Sequence, residues 1–146
     1  MATAADFFGE DQKKQIVDAI KAAENNTSGE IRVHIESQCK GNVLDRAAQV
    51  FAKLEMHKTA LRNGVLLYLA IETRTFAIIG DSGINKVVDS HFWDSTKEIM
   101  ITYFKTGDYT QGLVHGIEQA GEQMKKYFVH QADDINELPD DISFGK

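Results

Sequence analysis

One apolar segment constrains the fold of this 146-residue chain more than any other feature. Residues 64–71, with the sequence GVLLYLAI, are apolar at nearly every position and carry no charge. A strand that is apolar on both sides is expected to lie in the centre of a sheet, buried on both faces. The segment is far shorter than the roughly 20 apolar residues of a membrane-spanning helix. The chain therefore predicts a soluble domain built around a sheet.

The segments on either side of this strand predict its neighbours. Residues 30–36 alternate strictly between apolar and polar side chains, which predicts a half-exposed strand. A helix with Asn42 as its N-cap is predicted between the two strands, and this strand–helix–strand order predicts parallel pairing with a right-handed crossover. Residues 75–80 follow a short turn and predict an antiparallel partner. The helix is indicated by apolar residues at helical spacing: Leu44, Ala47, Ala48, Phe51 and Leu54.

Patterns in the rest of the sequence predict three more helices and a C-terminal tail. Helical spacing predicts helices over residues 11–24, over residues that follow a capping box at 95–98, and over residues 109–128. Residues 81–91 are predicted to form a loop. The last 15 or so residues hold five acids and the single proline, which is typical of a flexible segment. We expect a single domain over residues 1–130 and an acidic, flexible tail over residues 131–146.

Charge and motifs exclude several classes of function. The net charge of −6 argues against binding to nucleic acid or to anionic membranes and favours cations as small partners. The single cysteine, Cys39, excludes an intrachain disulfide and a Cys-based zinc cluster, and it favours a cytoplasmic location. The sequence contains no phosphate-binding loop, Rossmann fingerprint, esterase elbow, zincin motif or EF-hand loop. The standard motifs therefore assign no enzyme class.

Two stretches of the sequence resemble the TPM domain. They are RNGVLLYLAIETRTFAIIGDSGINKVVD at 62–89 and FKTGDYTQGL at 104–113. This family is named for a thylakoid-lumen protein, a photosystem II repair protein and an acetylcholine-receptor modulator. With the strand that begins at Gly29, the resemblance spans roughly residues 10–128. The matching positions are Asn63, Gly64, Val65, Leu66, Leu67, Arg74, Gly80, Gly83, Asp89, Phe104, Gly107, Tyr109, Gly112 and Leu113.

The resemblance implies a three-layer α/β/α sandwich with a small mixed sheet of three or four strands. It also implies divalent-metal binding or acid phosphatase activity, because both are reported for some members. Many relatives carry a secretion signal and a transmembrane helix, which this sequence lacks, so we expect a stand-alone domain. Most relatives have a Tyr between the two loop glycines, where this chain has Asp81-Ser82 and thus one more carboxylate.

The predicted topology brings several of these acids to one end of the sheet. The loop after the third strand lies beside the start of the first strand, so Glu30, Asp81 and Asp89 are predicted to converge, with Asp94 as a further candidate ligand. Carboxylate oxygens of this kind suit Ca²⁺ or Mg²⁺, which take six or more oxygen ligands. The sequence therefore predicts a metal site at this end.

Three of the four candidate ligands have an alternative role. Asp81 caps its own turn in one alternative, Asp94 caps the following helix, and Glu30 forms a surface ion pair with Arg32 or Arg62. The main hypothesis is a TPM domain that binds a divalent cation, calcium first, with a regulatory or partner-binding role. The alternative is a weak metal-dependent acid phosphatase, and a purely structural interaction module is the third class.

Overall fold

The computed structural model describes residues 4–89, 91–129 and 138–145. Four strands form one mixed sheet in the order β3-β2-β1-β4, in which β1 pairs parallel with β2 and β4, and β2 pairs antiparallel with β3. The predicted parallel pair and hairpin are confirmed. The elements in chain order are α1 (Ala4–Phe7), α2 (Glu10–Glu24), β1 (Glu30–Glu36), α3 (Val43–Lys53), β2 (Gly64–Ala70), β3 (Thr75–Gly80), α4 (Ser82–Asn85), α5 (Asp94–Phe104), α6 (Tyr109–Met124) and β4 (Ser143–Phe144).

The larger of two cores lies between one face of the sheet and helices α2, α5 and α6. The apolar side of β1 faces this core, together with alternate residues of β2. Helix α6 lies close to both of its neighbours because it presents glycines to them: an added Cβ at Gly116 would lie 2.7 Å from Met100, and one at Gly121 would lie 2.8 Å from Ala23. These contacts form the first helical layer.

The smaller core lies on the opposite face, under α3. Asn42 caps α3 as predicted, because its side-chain oxygen accepts a hydrogen bond from the Asp45 backbone N–H at 3.0 Å. Val50 and Met56 are buried against the other side of β2, which contributes Leu66 and Tyr68. The predicted three-layer α/β/α sandwich is confirmed.

The prediction that β1 is half-exposed is wrong, because all seven of its residues are buried. Its polar side meets side chains from α3 and from the chain's C-terminal segment, residues 138–145. Alternation along a strand identifies the residues that share a face, but it does not show whether a distant segment covers that face.

The C-terminal segment also corrects the predicted flexible tail. Leu138 is buried in the smaller core, β4 pairs with β1, and Arg32 donates a hydrogen bond to the Asp141 carbonyl at 3.3 Å. Residues 131–137 of the predicted tail lie outside the described residues. The packing of residues 138–145 is tertiary, and the acidic composition of the segment gave no sign of it.

Several boundaries differ from the predictions. Helix α1 was not predicted, and the predicted loop at 81–91 contains the short helix α4. Helix α5 begins at Asp94 with Trp93 as its N-cap and no side-chain cap hydrogen bond, so the predicted capping box does not form. Among the residues that the structure describes, no helix is long and apolar enough to cross a membrane.

Candidate functional site

Asp81, the first of the predicted ligands, is buried at the N-cap of α4 and paired with Arg62. Arg62 donates from Nε to Oδ2 at 2.8 Å and from Nη2 to Oδ1 at 2.9 Å, while the Ser82 backbone N–H donates to Oδ1 at 2.7 Å. The hydrogen bonds to Asp81 raise the pKa of Arg62. This ion pair joins the loop before β2 to the loop after β3 directly, and both carboxylate oxygens of Asp81 are engaged in it.

Asp89 and Asp94 lie on the surface and interact with a neighbouring residue. The His91 backbone N–H donates to Asp89 at 2.9 Å, and the His91 imidazole lies 3.0 Å from the Asp94 carboxylate. Asp94 opens α5, and its side chain is 54% exposed. In the part of the chain that the structure describes, the side chains of both acids therefore make local contacts.

Glu30, the fourth predicted ligand, lies in a cluster of three carboxylates. Glu24 at the end of α2 forms side-chain hydrogen bonds with Asp140 and with Glu30. Its Oε2 also accepts the Ile31 backbone N–H at 2.9 Å. Burial, followed by the contacts with the other two carboxyl groups, raises the pKa of Glu24 to about 10. These contacts therefore favour a proton held within the cluster at neutral pH. We call Glu24, Glu30 and Asp140 the carboxylate cluster.

Two buried polar atoms have no hydrogen-bond partner among the described residues: Asn63 Oδ1 and Arg32 Nε. Asn63 is 1% exposed, its carbonyl accepts the Glu30 backbone N–H at 3.2 Å, and its Nδ2 donates to the Ser28 carbonyl at 3.3 Å. A buried unpaired oxygen is costly, since it has lost its contacts with water. Asn63 Oδ1 is thus an acceptor oxygen open to a donor or a cation.

Arg32 brings one positive charge to the same face of β1. Its pKa is lowered by burial, an effect that Asp141 and Asp140 oppose. The three acids of the carboxylate cluster are therefore balanced only in part, by the positive charge of Arg32 and by a bound proton. In residues 4–89, 91–129 and 138–145, no three His, Cys, Asp or Glu side chains form a preformed metal-holding group.

A second polar network lies at the other end of β1, around Glu36. Glu36 accepts hydrogen bonds from Arg46 Nε at 2.8 Å and Nη2 at 2.9 Å, from the Tyr68 hydroxyl, and from His34 Nε2 at 3.0 Å. Burial alone would raise the pKa of Glu36, but these donors hold it at about 2. His34 Nδ1 lies 2.8 Å from Ser143 Oγ, and burial lowers the pKa of the imidazole. The network is a continuous chain from α3 to β4.

The order Ser143–His34–Glu36 is that of a nucleophilic triad. However, the His34 side chain is only 8% exposed, and an added Cβ at Gly145 would lie 3.0 Å from its Nε2, so the last residues of the segment cover the imidazole. Glu36 is committed to Arg46 and Tyr68 as well as to His34. We therefore interpret this network as a structural clamp that holds β4 on β1.

Local sequence patterns indicate no site at Glu24, at Asp140 or at the residues of this network. Glu24 belongs to a helix pattern and Asp140 to an acidic stretch, so neither has a local spacing that indicates a site. Polar residues at every second position of β1 are a signal, but the same alternation also predicts a half-exposed strand. Only contacts between distant segments reveal these groups.

The arrangement defines a class of protein: a three-layer α/β/α domain with a four-stranded mixed sheet and a cluster of carboxyl groups at the start of β1. The family model of the TPM domain matches residues 1–123. The chain belongs to the TPM domain family. No curated protein matches the chain.

Solved structures of similar proteins agree with this assignment. The NMR structure of the BA42 protein from the psychrophilic bacterium Bizionia argentinensis is 52% identical, with a TM-score of 0.92, over 99% of this chain and 100% of that chain. Two N-terminal domains solved by NMR share the fold at low identity. The domain from P. gingivalis has 17% identity and a TM-score of 0.68, over 85% of this chain and 82% of its own. The domain from Corynebacterium glutamicum has 15% identity and a TM-score of 0.66, over 88% of this chain and 80% of its own.

Proposed function

We propose that this TPM domain binds a divalent cation, calcium first and magnesium second, at the carboxylate cluster. The observation that carries the proposal is the contact of Glu24 with two other carboxyl groups, those of Asp140 and Glu30. Burial first and these two neighbours second raise the pKa of Glu24. Such a cluster either holds a proton or takes up a cation. A divalent ion would replace the proton and neutralise the charge that remains.

The ligands available at the cluster suit a hard cation. Glu24, Glu30 and Asp140 supply carboxylate oxygens. Calcium takes six to eight oxygen ligands from carboxylates, amide carbonyls and water, and it tolerates irregular geometry. Magnesium requires a stricter octahedron, so calcium fits a cluster without a preformed arrangement better.

The other three ligands predicted from the sequence, Asp81, Asp89 and Asp94, form a second proposal for the position of the ion. Ligation by Asp81 requires that its bidentate pair with Arg62 open, since both of its oxygens are engaged. The two positions are distinguished by the same titration, because Glu30 lies at the start of β1 and Asp81 lies in the loop after β3.

Calcium titration followed by amide NMR and calorimetry tests the proposal. We expect shifts at residues 24, 30–32, 63 and 140–141, and release of close to one proton per ion at pH 7, measured in buffers of different ionisation enthalpy. Glu30→Gln should weaken binding by about tenfold or more, because the carboxylate count sets affinity. Asp81→Asn is the matched control. Amide shifts confined to residues 80–94 would show that the ion binds at Asp81 instead. The absence of any shift at millimolar calcium would contradict the proposal.

The proposed regulatory role follows from the segments that the carboxylate cluster joins. Asp140 belongs to the C-terminal segment, whereas Glu24 and Glu30 belong to α2 and β1. A bound ion would tie this segment to the sheet and alter the surface offered to a protein partner, whose identity the sequence does not indicate. A cytoplasmic location, expected from the single cysteine, stays a prediction.

The alternative function is a weak metal-dependent acid phosphatase. It is favoured by Arg32, whose Nε has no hydrogen-bond partner among the described residues and which lies beside Asp140, so a guanidinium is available near the proposed ion. Efficient phosphoryl transfer needs several groups that neutralise charge and position the nucleophile. We expect hydrolysis of p-nitrophenyl phosphate below about 1 s⁻¹, abolished by chelator and by Glu30→Gln. Activity that survives both would contradict this alternative.

A further inference from the structure

A cavity of about 640 Å³ opens between the β2–β3 hairpin and the turn from α5 to α6. Its volume falls within the roughly 300–1,000 Å³ of small-molecule sites. No step of the proposed cation binding uses this cavity, which we call the hairpin groove. Its principal lining side chains are Leu69, Phe76, Phe104 and Tyr109 on the wall, with Arg74 and Lys105 at the rim.

The wall of the hairpin groove is a packed aromatic surface. The Phe104 ring centroid lies 5.2 Å from that of Phe76, edge-on, and 5.4 Å from that of Tyr109. Phe104 packs directly against α6 because Gly112 has no side chain: an added Cβ there would lie 2.3 Å from the ring. Because packing fixes these rings, the wall is already formed for an apolar or aromatic group.

The rim of the hairpin groove is positively charged. Arg74 and Lys105 are exposed, and within the described residues neither side chain has an ion pair or a hydrogen bond. The described lining residues include no Asp or Glu. Asp108 is nearby in sequence, but its carboxylate caps α6 by accepting the Gln111 backbone N–H at 3.1 Å. On a chain of net charge −6, this groove therefore favours an anion.

The backbone at Arg74 supports a role for its side chain. Arg74 has φ +55°, in the left-handed region that glycine adopts without penalty. A residue with a Cβ is less stable than glycine in this region, and such backbone positions are often associated with binding sites. The hairpin thus carries a guanidinium at a position where glycine fits the backbone better.

From these observations we infer that the hairpin groove binds an amphipathic organic anion. The apolar body lies on the Phe76, Phe104 and Tyr109 wall, and a carboxylate or phosphate head pairs with Arg74 and Lys105. The groove lies where β2 ends, whereas the carboxylate cluster lies where β1 begins, about 20 Å away along seven strand residues at about 3.3 Å each. The two sites are therefore separate, and a failure of cation binding leaves this inference intact.

Amide NMR titration of the full chain with 4-phenylbutyrate tests the inference, with phenyl phosphate as a second anion. We expect saturable shifts confined to residues 69–76 and 101–109, with a dissociation constant on the order of 1 mM for at least one probe. The neutral 4-phenylbutyramide should bind about tenfold more weakly, because it cannot form charge-assisted hydrogen bonds. Equal affinity for the amide, or the absence of saturable shifts with both anions, would overturn the inference.

Two variants separate binding from folding. Arg74→Gly removes the guanidinium and relieves the backbone, so the thermal midpoint should not fall while affinity drops about tenfold. Lys105→Ala should weaken binding as well, and it leaves the backbone of the β2–β3 hairpin unchanged. Lys86→Ala, an exposed lysine beyond the other end of β3, is the matched control and should bind like the wild type. Unchanged affinity in both rim variants contradicts the inference.

Discussion

At the scale of single residues, the carboxylate of Glu36 is held by donors from three different elements. Arg46 reaches it from α3, Tyr68 from β2, and His34 from β1 itself. Burial of a carboxylate is costly, and it is tolerated when the charge is paired and all its oxygens are hydrogen-bonded. Glu36 therefore contributes to stability only as long as its partners are present.

Glu36→Gln should destabilise the protein markedly. The amide has no charge to pair with Arg46, and its NH₂ group is a donor that faces other donors. We therefore expect the free energy of unfolding to fall by about 3 kcal/mol. The thermal midpoint should fall by roughly 5–10 °C. Glu55→Gln is the matched control, because the pair of Glu55 with Lys58 is more than half exposed on both sides. That change should cost less than about 1 kcal/mol. Similar midpoints for the two variants would show that the Glu36 network is unimportant.

At the scale of elements, β4 and the segment before it complete the fold. Helices and strands with a regular apolar pattern formed where the sequence predicted them, with β1 and β3 at their predicted bounds. The unpredicted pieces, α1, α4 and β4, have two to four residues each. Segments so short have no periodicity to detect, because a helix turn needs 3.6 residues and a strand pattern several alternations.

Removal of the C-terminal segment should destabilise the domain. A chain that ends at residue 137 loses the buried Leu138, the Arg32 contact and β4, and burial of one leucine alone contributes about 1.5–3 kcal/mol. A chain that ends at residue 142 keeps Leu138 and the Arg32 contact but loses β4 and the contact of Ser143 with His34. Its thermal midpoint should lie between those of the shorter chain and the wild type. The measurements are thermal unfolding and hydrogen exchange of the β1 amides, which pair with β4. A midpoint unchanged in both truncated chains would refute the structural role of the segment.

At the scale of the whole molecule, charge differs between the two ends of the sheet. The end where β1 begins carries the carboxylate cluster, and the end where β2 finishes carries Arg74 and Lys105 at the hairpin groove. The two sites lie at opposite ends of a fully buried pair of strands. The cluster also makes stability depend on pH.

Without divalent cation, stability should fall as pH rises from 7 to 9. The pKa of Glu24 is about 10 in the folded state and near 4.5 when unfolded, so the folded state binds more protons across this window. The free energy of unfolding should fall by at most about 1.4 kcal/mol per pH unit. His34, whose folded pKa is lowered, adds the opposite trend only below about pH 6.5. Denaturant unfolding checks this: Glu24→Gln should flatten the profile, and calcium should do the same. A flat wild-type profile would contradict the raised pKa.

The sequence by itself determined the sheet's central strands, their pairing, the main helices and the family, because hydrophobic periodicity and ordered short motifs are local properties of the chain. It also placed Glu30 and Asp81 at the same end of the sheet. Tertiary structure alone decided that Asp81 pairs with Arg62, that Glu30 joins Glu24 and Asp140, and that the C-terminal segment buries the polar side of β1. The reason is physical: a side chain's charge state and partners depend on groups brought together from distant segments, and local patterns carry no information about those contacts.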